Sequence, residues 1–229
     1  MSESKQQLKF LTFVDLTGNK LTKLRHILCT KLQTLILDNN TIAHCDMSQH
    51  GSLITLSAVK NQLTSLQGFH NLKTLENLNL SENQITTMAG IKNCNSLKSL
   101  NLSNNKIEAF EEVPVLPSLE AINLSFNPIT KLEEIGKLII YRNLKDINLS
   151  DTPLAEEKGD DLKKEVLILL DGLLINMYNG EEVTEEELQD AKAEKQERIK
   201  AAEEARLAAE EEARLAAEEA AKAKEEEED

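Results

Sequence analysis

The chain has no tryptophan, and aromatic residues make up only 3% of its 229 positions. Any core must therefore be built from aliphatic side chains, leucine above all, with asparagine as its polar support. Long apolar runs are also missing. Stretches such as Leu138–Ile140 and Val166–Leu170 fall far short of the ~20 residues a membrane helix needs, so no membrane partner is expected. The opening residues, Met1-Ser2-Glu3-Ser4-Lys5-Gln6-Gln7, lack the apolar stretch of a signal peptide, so secretion is not expected either. Basic charge is scarce, with 26 Lys+Arg against 40 Asp+Glu and a net charge of −14. Such a chain gains nothing from a phosphate backbone, and no nucleic-acid partner is expected.

Catalytic and metal signatures are absent in the same way. The eight glycines are scattered, with no G-x-x-x-x-G-K phosphate loop. No nucleophile–base pair or paired-carboxylate frame stands out, so no enzyme activity, catalytic residue or cofactor is expected. The three cysteines, Cys29, Cys45 and Cys94, are odd in number and far apart, which reads as free thiols in a reducing, cytoplasmic setting. His26-x-x-Cys29 and His44-Cys45 lack the tight paired spacing of a structural zinc site, so no metal is expected.

What is present is a repeat. On the pattern L-x-x-L-x-L-x-x-N-x-L the chain falls into seven segments, starting at Leu11, Leu32, Leu53, Leu75, Leu97, Leu119 and Leu144. Apolar pairs two apart, such as Leu78 and Leu80, put both side chains on one face of a short strand. A single repeat cannot bury that face alone, so the expectation is a stacked α/β solenoid whose strands form one parallel sheet on its concave side. Seven strands would make a sheet about 34 Å long. The column Asn19, Asn40, Asn61, Asn83, Asn105 and Asn127 falls where each strand ends, where an inward amide can satisfy buried backbone groups of adjacent turns. Its expected role is structural. Four N-x-S sequons, from Asn79, Asn101, Asn123 and Asn148, recur at one point of the repeat and belong to its pattern rather than to glycosylation.

The segment bounds expected are a lead-in at 1–10, repeats at 11–154, a C-terminal cap at 155–183 and a tail at 184–229. The seventh repeat has Thr152 in place of Asn, then Pro153, then an apolar helical stretch over Val166–Leu170 suited to covering the end of the stack. The tail holds 18 acidic and 8 basic side chains, a net −10, which leaves −4 for residues 1–183. Thr184-x-x-Glu187 reads as a capping box with Val183 and Leu188 as its staple, and no Gly or Pro follows. Acid-to-base pairs at i,i+4 (Glu194–Arg198, Glu210–Arg214, Glu218–Lys222) support one helix of about 69 Å. Its large apolar residues are spaced 11, 8 and 8 apart, so heptads are absent and a homo-oligomeric coiled coil is not expected. Ile199, Leu207 and Leu215 are its candidate partner contacts.

These repeats resemble the 22-residue class of leucine-rich repeats, the Sds22-like type also found in axonemal light chains. Leu173, Met177 or Tyr178, Asn179-Gly180 and Val183 are similar to that class's C-terminal cap motif. The cap followed by a charged helical tail resembles axonemal members of the class, such as those of the radial spoke. The resemblance implies a non-catalytic scaffold binding other proteins within a large axonemal assembly of the cilium. The alternative it leaves open is an acidic regulator, cytoplasmic or nuclear, that binds a phosphatase or histones. On the strand face, Phe13, Ile36 and Val59 beside Asp15 and Asp38 are the candidate partner-binding residues, since apolar groups rimmed by acids mark interfaces.

Overall fold

The computed structural model describes residues 10–24 and 29–227, with side chains described through residue 217. Alternation of apolar and polar residues yields very short strands at each repeat. They are β1 Phe13–Asp15, β2 Lys23–Leu24, β3 Thr34–Ile36, β4 His44–Cys45, β5 Thr55–Ser57, β6 Asn77–Asn79, β7 Ser99–Asn101, β8 Ala121–Asn123 and β9 Asp146–Asn148. Helix α1 (Leu132–Gly136) and a 3-10 turn (Lys137–Ile140) precede β9. Helices α2 (Pro153–Lys158) and α3 (Asp161–Leu169) follow it, then strands β10 (Met177–Tyr178) and β11 (Glu181–Glu182), and last helix α4 (Glu185–Glu227).

The main sheet has nine strands in the order β1-β3-β5-β6-β7-β8-β9-β10-β11. Every described neighbour pair in it is parallel except the closing β10–β11 hairpin. The strand-centre residues Leu35, Leu56, Leu78, Leu100, Ile122 and Ile147 face one another in register and are all buried. Each contributes about 1.5–3 kcal/mol by leaving water. A second, two-stranded parallel sheet, β2–β4, lies on the returning leg of the first repeats.

One row of residues was not legible beforehand. Just before each column position the chain passes through the left-handed region, at Gly18, Asn39, Lys60, Glu82, Asn104, Phe126 and Asp151. From Gly18 to Phe126, each of these N–H groups donates to the next repeat. Lys60 bonds Ser81 O (3.2 Å), Glu82 bonds Ser103 O (3.0 Å) and Phe126 bonds Ser150 O (3.0 Å). The returning leg is as tightly specified. A Cβ on Gly68, whose φ is +94°, would lie 1.9 Å from the Cys45 carbonyl oxygen.

The chain separates into two compact units, residues 1–184 and 185–229. In the first, Thr152 caps α2 by accepting from the Ala155 N–H (3.1 Å), with Pro153 beginning the helix. In the second, α4 is a 43-residue helix. No helix is long and apolar enough to cross a membrane, among the described residues.

Candidate protein-interaction face

Sheet register arranges the outward side chains in three rows. The first is Phe13, Thr34, Thr55, Asn77, Ser99, Ala121 and Asp146. The second is Asp15, Ile36, Ser57, Asn79, Asn101, Asn123 and Asn148. The third, two residues past the end of each strand, is Thr17, Asp38, Val59, Ser81, Ser103, Ser125 and Ser150. Phe13, Ile36 and Val59 thus lie on a diagonal, one row over at each strand, rather than opposite one another. Phe13 is 56% exposed, whereas Ile36 and Val59 are half-buried.

The acids beside them are partly committed within the chain. Asp15 accepts from the Thr17 N–H (2.8 Å), and Thr17 hydrogen bonds hold its carboxyl below the usual value. Asp38 accepts from Ser57 Oγ (2.6 Å) and the Val59 N–H (2.8 Å). The second-row asparagines have the same use. Asn79 accepts from Ser81 N–H and Oγ, and Asn123 and Asn148 accept likewise from Ser125 and Ser150. These are local Asx turns closing each strand. Asp146 is the exception, a half-buried carboxylate raised by desolvation and without a hydrogen bond or ion pair among the described residues.

The asparagine column supports the face from behind. Nδ2 of Asn105 lies within hydrogen-bond distance of the carbonyls of Leu80 (3.1 Å), Leu102 (3.0 Å) and Ser103 (3.2 Å), while its Oδ1 accepts from the Ile85 N–H (3.0 Å). Asn40, Asn61, Asn83 and Asn127 are buried in equivalent positions. Asn19 differs. It is exposed and, among the described residues, reaches only carbonyls of its own turn, Leu16 (2.7 Å) and Thr17 (3.4 Å), because β1 is the first described strand of the sheet. At Thr152 the column ends, and the Ile129 N–H turns to the Asn127 carbonyl instead (2.8 Å).

A second support is an ionic clamp, on a buried glutamate and an exposed lysine, that the sequence pattern did not reveal. Glu134 on α1 accepts from the Phe110 N–H and from Lys137 Nζ (2.8 and 2.9 Å), while Lys137 also donates to the Phe110 carbonyl (3.1 Å). Desolvation raises the Glu134 carboxyl, but these bonds and the charges of Lys137 and Lys131 outweigh it and leave the group below its usual value.

Cys29, Cys45 and Cys94 are free and buried, and burial with the nearby Asp46 carboxylate pushes the Cys45 thiol up to about 12. Among the described residues no group of three His, Cys, Asp or Glu is placed to hold a metal. His26 lies outside the described residues. In α4, Ile199, Leu207 and Leu215 are 49%, 58% and 50% exposed. Arg198 pairs with Glu194. Arg206 lies 3.6 Å from Glu210 and Arg214 3.9 Å from Glu211. The side chains of Glu218 and Lys222, like residues 228–229, lie outside the description.

A family model for leucine-rich repeats, in two-copy form, matches residues 52–93, 73–115 and 95–164. Residues 52–164 are leucine-rich repeats. The repeat register continues on both sides, through β1 to β5 and into β10, so the unit is a leucine-rich repeat solenoid. Among solved structures it is similar to the functional domain of InlJ from Listeria monocytogenes, at 23% identity and a TM-score of 0.56, over 78% of this chain and 37% of that one. It is also similar to a chain of the TLR13–ssRNA13 complex (23%, TM-score 0.58, 75% and 29% covered) and of the LRIM1/APL1C complex (22%, TM-score 0.55, 76% and 31% covered). These likenesses show the fold, and the chain spans about a third of those three solved chains. A comparison with curated proteins gives no match. Leucine-rich repeat proteins typically mediate protein–protein interaction.

Proposed function

We propose that this chain is a non-catalytic protein-interaction scaffold built into the ciliary axoneme, in an assembly of the radial-spoke type. The observation that carries the reading is the pairing, in one chain, of a leucine-rich repeat sheet with a 43-residue charged helix. That helix spans about 64 Å. Its three exposed apolar residues at wide spacing suit contacts with neighbours along its length better than a self-made coiled coil. The diagonal of Phe13, Ile36 and Val59 is the proposed contact on the sheet.

The test is fractionation of ciliated cells. Detergent first releases soluble protein, then high salt is applied to the isolated axonemes, and the chain is quantified in each fraction. Retention through both steps supports a built-in component. Release by detergent, or recovery with nuclei, overturns it in favour of an acidic regulator binding a phosphatase or histones, a reading supported by the net −10 of residues 184–229.

A further inference from the structure

The three outward rows of the sheet carry no Lys or Arg across seven strands, and their only charged residues are Asp15, Asp38 and Asp146. Asp15 and Asp38 are occupied by hydrogen bonds within the chain. Asp146 is not. It stands in register between Ala121 on β8 and Met177 on β10, and Met177 is in turn opposite Glu182 on β11. A half-buried carboxylate with small or apolar neighbours and no partner is costly, and a cation supplied from outside removes that cost.

Phe126 adds an apolar anchor. It is 56% exposed and lies in the left-handed row at φ +54°, next to Asp151. The other members of that row are Gly, Asn, Lys, Glu and Asp, so Phe126 is its one aromatic among the described residues. Nothing within the fold calls for a bulky ring there, since Asn104 occupies the equivalent place one repeat earlier at φ +55°. From the first row to this one is five residues of chain, at most about 17 Å, within reach of one short partner segment.

We infer that the C-terminal part of the sheet face, around Asp146, Met177 and Phe126, docks a basic segment of a partner protein that presents Lys or Arg beside aliphatic side chains. The cation meets Asp146 while its methylene stem lies along Ala121 and Met177. A neighbouring aliphatic side chain packs on Phe126, as an aromatic anchor at an interface does. This deepens the scaffold reading, on which it rests, and adds a second contact at the other end of the sheet from the N-terminal diagonal.

The test is photo-cross-linking of the full chain to the peptide Gly-Leu-Arg-Leu-Lys-Leu-Gly, with a benzophenone at its central leucine. A charge-reversed peptide with Glu and Asp is the control. The expected cross-links fall on residues 121–126, 146–151 and Met177, at a yield about tenfold above the control. Asp146→Asn and Phe126→Asn each reduce that yield about tenfold, while thermal unfolding of Phe126→Asn is unchanged or raised. Cross-links confined to residues 185–229, or a yield insensitive to both substitutions, overturn the inference. Cross-links on Phe13, Ile36 and Val59 instead also overturn it but leave the scaffold reading standing. Failure of that reading appears separately, as release from axonemes.

Discussion

Truncating the asparagine column one position at a time tests the account of what holds the repeats together, because the hydrogen bonds predict unequal losses. In Asn105→Ala the carbonyls of Leu80 and Leu102 keep second donors, from Asn83 (3.0 Å) and Asn127 (2.9 Å). The Ser103 carbonyl keeps the Glu82 N–H (3.0 Å). The group stranded is the Ile85 N–H, buried and with Asn105 Oδ1 as its acceptor (3.0 Å), at a cost of about 1–3 kcal/mol. In Asn127→Ala the Ile107 N–H is stranded in the same way. The Leu124 carbonyl is stranded as well, because Asn127 is its donor (3.0 Å) and Thr152 in the next repeat turns to Leu149 instead (2.8 Å). Two stranded groups cost about 2–6 kcal/mol. Asn19→Ala strands nothing buried, since the Leu16 carbonyl keeps Asn40 (3.0 Å), and should fall within about 0.5 kcal/mol of the parent. Urea unfolding of the full chain, followed by circular dichroism and compared at constant m-value, measures the three. Equal losses at Asn105 and Asn127, or a loss at Asn19 matching that at Asn105, would refute the reasoning.

Further predictions follow from single sites. Tyr141 is buried with its hydroxyl unpartnered among the described residues, so Tyr141→Phe should stabilise by about 1 kcal/mol, read as a higher unfolding midpoint. Gly68→Ala places a Cβ against the Cys45 carbonyl at a φ of +94°, and its unfolding midpoint should drop by more than that of any surface substitution. The Glu134 carboxyl has a lower pKa folded than its ordinary value of 4.5. Its contribution is therefore present above that value and lost as pH falls through the folded one, and Glu134→Gln should flatten this acid limb of a stability–pH curve.

Much of the fold was legible because a solenoid contacts itself at nearly constant chain offset. Once Leu32, Leu53, Leu75, Leu97 and Leu119 set the period, the strand centres Leu35, Leu56, Leu78, Leu100 and Ile122 and the asparagine column follow by counting. The three outward rows follow too, since side chains alternate along a strand. The candidate face was legible only as composition. Asp38 and Asp146 look alike in the sequence. One is occupied by a hydroxyl and an amide from the next repeat, while the other stands in register with Ala121 and Met177 and has no side-chain partner among the described residues.

The sequence by itself determined the stack, its direction and which side chains fill its interior, because those depend on period and polarity alone. The tertiary structure decided the left-handed row that exposes Phe126, the approach that requires Gly68, the Glu134–Lys137 clamp on Phe110 and the exposure of Asn19. Each depends on the direction in which a backbone group some 20 residues away points. That direction is set only when neighbouring turns settle against one another.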